Sequence, residues 1–317
     1  MTKQDVNSQY RGLEGIKPYA KALHDQIIET KPPHVINWHI VYQCNYVCKF
    51  CYFRETENEE ERHPNKPHLA IPVESCYRIL EILKENGIKR INFAGGEPTL
   101  LPELPKIIEY AHRTGLDITI VTNSTGLTDR FISSIRGKVK AVKLSIDSQN
   151  EEIEKQLGRG SGNHVRKVIK AAETLRNNGI MVMANTVVTS RNWKEDMHDI
   201  MMRIKPERWK VFQVLGIFGQ NQDHYADLSV SDEEFNYFIK RHGDLRFLVD
   251  EDNERMTESY LMLDPYGRFF QNSGQRYIYI YTAPLMDVGF ACAFHQVAFN
   301  ADKFKSREES NILDVEK

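Results

Sequence analysis

Two rhythms of hydrophobic and polar positions run through this 317-residue chain. One has a period of two and marks strands; the other places apolar residues at i, i+3, i+4 and i+7 and marks helices. Residues 35–41 predict a first strand, and residues 73–86 a helix that Gly87 ends. A second strand, 90–93, leads into Ala94-Gly95-Gly96-Glu97-Pro98. Leu104, Ile107, Ile108 and Ala111 then share one helix face. Strands are predicted at 117–122 and 139–146, a helix at 164–178 before Gly179, and a fifth strand at 181–188. A helix at 197–204 and a sixth strand at 209–215 complete the series.

Strands alternating with helices predict an α/β fold: a parallel sheet with helices outside. In barrels of this kind chemistry gathers at the C-terminal ends of the strands. After Gly216 the rhythm weakens to a capped helix at 231–242 and a strand and turn at 258–270. The chain therefore divides into an N-terminal arm over 1–33, ending in Pro32-Pro33, a barrel over 34–216, and a C-terminal extension over 217–317 that folds over the barrel mouth. The acidic run at 57–61 reads as a solvated loop.

Composition is ordinary for a folded protein, with 41% hydrophobic and 27% charged residues. A formal net charge of −2 gives no reason to expect a nucleic-acid partner. There is no stretch of roughly 20 apolar residues and no apolar run near Met1 to suggest a signal peptide or anchor. The expectation is a cytoplasmic monomer with no membrane association.

Five cysteines are present, and Cys44, Cys48 and Cys51 fall within one short loop after the first strand, spaced C-x3-C-x2-C. An odd number so clustered suits metal or cluster ligation in a reducing compartment better than disulfides. Thiolates suit iron–sulfur clusters, and three thiolates on a cubane leave one iron open. A zinc site is the alternative; it needs a fourth ligand, and His39 is the candidate, awkwardly placed on the preceding strand. Cys76 and Cys292 sit in apolar settings and read as core residues, although a place at the barrel mouth stays open for Cys292.

Strand side chains alternate between faces. In the sixth strand Trp209 and Val211 suit packing on helices, so Arg208 and Lys210 should point into the barrel. The same parity pairs Asn37 with His39, Arg90 with Asn92, Lys143 with Ser145, and Met183 with Asn185. Inward charges are costly unless paired. Internal salt bridges to Glu97 or Asp147 would satisfy them; so would a polyanionic ligand, which the recurrence of basic and amide residues on several strands favours.

The cysteine loop and the Gly95-Gly96-Glu97-Pro98 turn resemble the signature of the radical S-adenosylmethionine (SAM) superfamily. More closely, Asn37-Trp38-His39, Leu157-Gly158-Arg159-Gly160, Arg208-Trp209-Lys210-Val211-Phe212-Gln213, Leu263-Asp264 with Tyr266, and Met286-Asp287-Val288 resemble the viperin-like radical SAM enzymes. The resemblance implies a partial (β/α)6 radical SAM barrel with a 4Fe–4S cluster held by Cys44, Cys48 and Cys51. It implies SAM bound by Gly95, Gly96, Glu97, Ser145 and Arg159, with Asn123 a further candidate against a plain turn role. It implies that a ribonucleoside triphosphate, CTP first and UTP next, is converted to its 3′-deoxy-3′,4′-didehydro form, an antiviral chain terminator; the inward set Asn37, Arg90, Asn92, Asn185, Arg208 and Lys210 is expected to hold it. Tyr266 matches a tyrosine near the substrate, where packing is the alternative role. An electron-donating reductase, flavodoxin or ferredoxin is the implied protein partner. Met183 stands where the animal enzymes carry a lysine, and neither their amphipathic N-terminal helix nor their aromatic tail is matched, which suggests a microbial, soluble relative. Two rivals remain: a radical SAM enzyme acting on a peptide or other small molecule, disfavoured because only Cys292 follows the barrel, and a zinc-stabilised binding module without catalysis.

Overall fold

A row of apolar side chains crosses the middle of the molecule. Trp38 lies beside Phe93, Phe93 beside Ile120, Ile120 beside Val142, Val142 beside Val182, and on the next pair Ala184 beside Trp209. All are buried in one core shared with the helices. Truncating either tryptophan to Ala removes enough contact to cost about 3–5 kcal/mol.

The computed structural model describes residues 31–54, 68–272 and 278–310. The chain divides at Pro32 into two compact units; the N-terminal arm, apart from residues 31–33, and the acidic run at 57–61 lie outside the described residues. The second unit begins with β1 (Val35–Val41), α1 (Val73–Glu85), β2 (Arg90–Gly95) and a single 3-10 turn, Pro98–Leu100. It continues through α2 (Leu104–Arg113), β3 (Asp117–Thr122), α3 (Asp129–Ile135), β4 (Ala141–Ser145), α4 (Glu151–Gln156), α5 (His164–Asn177), β5 (Met181–Val188), α6 (His198–Ile204) and β6 (Arg208–Gln213). After the sixth strand come α7 (Gln222–Leu228), α8 (Asp232–Arg241), β7 (Leu248–Glu251), α9 (Asn253–Met256), β8 (Met262–Leu263), β9 (Arg268–Asn272) and β10 (Tyr279–Pro284). Three helices follow: α10 (Leu285–Val288), α11 (Phe290–Phe294) and α12 (Ala301–Ser310).

The six expected strands are parallel and adjacent in chain order, within one ten-stranded sheet ordered β10-β9-β8-β1-β2-β3-β4-β5-β6-β7. Residues beyond 216 extend that sheet at both sides. β7 adds parallel to β6, and β8 parallel to β1, followed by the antiparallel β9 and β10. The helix expected at 231–242 is α8; Ser231 accepts from Glu234 N while the Glu234 side chain accepts from Ser231 N, a reciprocal capping box.

Cys76 is buried on α1, as expected. Cys292 is not a core residue: it is exposed. Phe290, Ala293 and Phe294 take the buried side of α11, and helical spacing turns the intervening Cys292 outward. Among the described residues no helix is long and apolar enough to cross a membrane.

Candidate active site

The Gly-Gly turn and the cysteine loop are locked together by backbone bonds. Gly96 N donates to Val41 O at 2.7 Å and Glu97 N to Gln43 O at 2.8 Å. The chains approach so closely that a Cβ on Gly95 would lie 2.4 Å from Val41 O, and one on Gly96 2.1 Å from Gln43 O. Gly95 also has φ +133°, which L side chains rarely adopt. Glycine is required at both positions, and the result is a turn held against the segment that delivers Cys44.

Glu97 is buried and spends its carboxylate inside the protein. Oε1 accepts from Thr99 N at 3.0 Å and from the Thr99 and Thr122 hydroxyls; Oε2 accepts from Asn123 N at 2.6 Å. Burial raises its pKa against the pull of those donors. The Asn123 side chain donates to Asn45 Oδ1 at 2.9 Å and to Cys44 Sγ at 3.8 Å. Glu97 thus positions Asn123, and Asn123 positions the cysteine loop.

On the other side, Val47 N donates to Gly158 O at 3.2 Å and Lys49 N to Leu157 O at 2.9 Å. Arg159 is buried beside Phe50, its Nε donating to Asp147 at 2.5 Å with Glu154 at 3.7 Å. Burial works against its charge, but Asp147, Cys48 and Glu154 outweigh it and hold the pKa well up. The Ser145 carbonyl accepts from Nε2 of His164, whose Nδ1 lies 3.4 Å from Tyr46 Oη. Burial holds His164 neutral, its pKa near 3, which suits those two bonds. Tyr266 lies in the β8–β9 turn at the same end, 44% exposed, beside Tyr42 and under the Arg268 guanidinium. It lines a cavity of about 240 Å³ with Tyr42, Gln43, His68 and Leu69.

The basic and amide residues lie deeper. Asn92 is buried; its Nδ2 donates to Asn37 Oδ1 at 2.6 Å, and its Oδ1 accepts from Thr119 at 2.8 Å and from Lys143 Nζ at 3.0 Å. On β5 and β6, Met183 pairs with Arg208 and Asn185 with Lys210, while Trp209 and Val211 turn to the core; the parity expectation holds. Among the described residues, Asn185 Oδ1 is buried without a hydrogen-bond partner. Arg90 and Arg208 open their strands, whereas Gly95 closes one. At a rise of ~3.3 Å per residue, the floor and the cysteine end are about 16 Å apart.

The internal-pairing alternative proves right for some of these charges. Asp147 does serve as an internal acid, but for Arg159, which is buried and not the exposed loop residue that its glycine neighbours allow; Glu97 pairs with no base among the described residues. Lys210 is paired with a different acid, buried Glu251. Glu251 also accepts from Tyr260 Oη and faces Arg307 at 3.7 Å. Burial tends to raise the Glu251 pKa, yet Lys210 and Arg307 bring it down to about 2. Glu251 and Arg307 belong to the weakly periodic part of the chain, and only their meeting in space exposes their part in the site.

The radical SAM superfamily matches residues 38–204 of the chain. An S-adenosylmethionine-dependent nucleotide dehydratase of Flammeovirga pacifica is 38% identical over 86% of this chain and 93% of its own length. One from Psychrobacter lutiphocae is 32% identical over 86% and 94%. The chain belongs to the radical SAM superfamily, in the family of these dehydratases. The family reaches animals: a relative from Oncorhynchus mykiss is 30% identical over 95% of this chain and 87% of its own. Among solved structures, Streptococcus suis SuiB bound to S-adenosylmethionine superposes with a TM-score of 0.60 at 17% identity, over 82% of this chain and 64% of that one. That likeness confirms the radical SAM fold and no more.

As a radical SAM enzyme the chain is not a zinc-stabilised module, and the geometry agrees. Zinc, with Zn–S bonds of ~2.3 Å, draws tetrahedral thiolates to about 3.8 Å from one another. Among the described residues, the cysteines do not form a group of three ligands within 4.8 Å of one another. His39 packs against Phe53 and Phe270 and meets Tyr52 at 3.3 Å, with burial lowering its pKa to about 3. Three thiols with no fourth ligand among the described residues, His39 being taken up by its aromatic neighbours, suit a cluster with one open corner better than a closed zinc site.

Proposed function

We propose that the chain converts a ribonucleoside triphosphate, CTP first and UTP next, into its 3′-deoxy-3′,4′-didehydro analogue. The observation that carries this reading is the inner face running from the cysteine loop to Arg90 and Arg208. An inner strand face about 16 Å long, with Arg90 and Arg208 at its start and Asn185 Oδ1 buried on it without a partner among the described residues, fits a long ligand with a polyanionic tail.

In this reading Cys44, Cys48 and Cys51 hold a 4Fe–4S cluster, and the Gly95-Gly96-Glu97-Pro98 turn, Asn123, Ser145 and Arg159 surround SAM. When bound, the two supply a 5′-deoxyadenosyl radical by one-electron cleavage of SAM. The protein's own part is placement. Arg90, Arg208 and Lys210 grip the phosphates, Asn37, Asn92 and Asn185 orient the sugar and base, and the ribose is presented to the cysteine end, where positioning alone is worth several kcal/mol. Tyr266, at the mouth beside Tyr42, shields the ribose from water and hydrogen-bonds near the reacting carbon. Residues 34–216 form the catalytic barrel, with 217–317 completing and covering it. The enzyme works as a cytoplasmic monomer supplied with electrons by a reductase, flavodoxin or ferredoxin.

The test is release of 5′-deoxyadenosine by the reconstituted, reduced enzyme with SAM and each ribonucleoside triphosphate in turn. A strong rise with CTP and hardly any with cytidine is expected. Failure of all four triphosphates to stimulate SAM cleavage overturns the nucleotide reading.

A further inference from the structure

β4 and β5 run side by side with Lys143 paired to Met183 and Ser145 to Asn185. Lys143 therefore shares the inner face, next to an apolar neighbour. Its amine is fixed in place: Nζ donates to Asn92 Oδ1, and Asn92 is itself tethered to Asn37 and Thr119. Lys210 has Glu251 and Arg159 has Asp147; among the described residues, Lys143 has no carboxylate at ion-pairing distance. The charged groups that face it are Lys210 and Arg208 on β6, Arg90 on β2, and Glu308 on α12. A buried amine among three cations, with a single more distant acid, is costly to charge. Burial first, and then those cations, push its pKa down to about 7.

We infer that Lys143 is the phosphate-binding residue at the centre of this site, reaching from β4 toward Asn92 on β2 and supplying the charge that its neighbour Met183 on β5 lacks. The inference rests on the nucleotide reading above and assigns a residue that reading does not use. A polyphosphate arriving between Lys143 and the arginines reverses the local field, so the amine gains a proton from solvent as the anion binds. Affinity then falls as pH rises through neutrality, because deprotonated Lys143 must be recharged. Methionine and lysine are both unbranched and flexible, so the two side chains can be exchanged with little change of volume.

The experiment is calorimetry of CTP binding to the SAM-loaded, unreduced holoenzyme, in buffers of different ionisation enthalpy. Lys143→Met, Met183→Lys and the exchange of both are compared with wild type. Lys143→Met is expected to weaken CTP at least about tenfold, to leave cytidine and SAM affinities unchanged, and to lose the wild type's extra proton uptake. The exchange variant should recover most of the lost affinity. Unchanged CTP binding or unchanged proton uptake in Lys143→Met overturns the assignment, while wild-type CTP binding leaves the nucleotide reading standing. If wild type binds none of the ribonucleoside triphosphates, the nucleotide reading fails and the Lys143 assignment with it. Should Lys143→Met also lose SAM, the exchange variant decides: recovered CTP affinity supports the assignment, and none overturns it.

Discussion

Asn221 donates from Nδ2 to the carbonyl oxygen of Phe50 at 2.9 Å, joining the segment after β6 to the cysteine loop across 171 residues of chain. The same amide donates to Leu215 O, and its Oδ1 accepts from Ile217 N. Asn221 is 2% exposed, so removing it strands buried backbone groups. Asn221→Ala should cost about 1–3 kcal/mol of stability and reduce the iron retained after reconstitution. Denaturant unfolding and an iron assay check both; wild-type iron content would show that the clasp does not serve the loop.

Cys44→Ala, Cys48→Ala and Cys51→Ala should each abolish 5′-deoxyadenosine formation, since three thiolates leave no spare ligand. Cys76→Ala and Cys292→Ala should keep their iron, one lying in the core of α1 and the other at the surface of α11. Iron content and product release measured across all five variants separate the two groups. Full activity in any of the first three contradicts the ligand set.

Lys210 is both a candidate phosphate ligand and the partner of a buried acid. Losing one member of a buried pair typically costs 3–5 kcal/mol; Arg307, beside Glu251, reduces that cost here. Lys210→Ala should therefore lower thermal stability as well as raise the apparent KM for nucleotide, whereas Arg208→Ala should mainly raise KM. Glu251→Gln should recover part of the stability lost in Lys210→Ala. A double-mutant cycle with no coupling would show that the pair is not formed.

His198 bridges Asp196 and Asp244, at 2.5 and 3.0 Å, and stacks on buried His242. His242 Nε2 in turn accepts from Met197 N at 2.9 Å. Hydrogen bonds to Asp244 and Asp196 raise the His198 pKa. A raised histidine contributes stability that is complete below its unfolded value of about 6.5 and is lost as pH rises through the folded value. The pair is largely exposed and screened, so a small decline in Tm above pH 6.5 is expected, flattened in His198→Gln. Parallel curves for the two proteins would dismiss the bridge.

The six barrel strands are legible in the sequence because each carries its own contrast, apolar residues toward the helices and polar ones inward, as Trp209 and Val211 beside Arg208 and Lys210 make plain. The cysteine loop and the Gly-Gly turn are legible because the chemistry and the close approach allow few substitutes. The short helices α3 and α4 escape notice because they contain too few turns to establish a period. β7 escapes it because what makes it a strand is a partner far along the chain. The same distance hides the acid beside Lys210, 41 residues away, and the bonding of Glu97, whose partners meet only when β2 and β3 are side by side.

β1 is hydrogen-bonded on one side to β2 and on the other to β8, where Asn37 pairs with Met262 and Trp38 with Leu263. The two neighbours emerge from the ribosome at very different times. Synthesis at roughly 5–20 residues per second leaves β1 waiting about 10–45 s for β8. Until then the strand that delivers the cysteine loop has a bare edge, the kind of surface that recruits foreign strands. A chain stalled or cut before residue 262 would keep its whole cysteine signature and still present that edge, so the biological hazard of truncation here is aggregation of nascent protein rather than loss of a ligand.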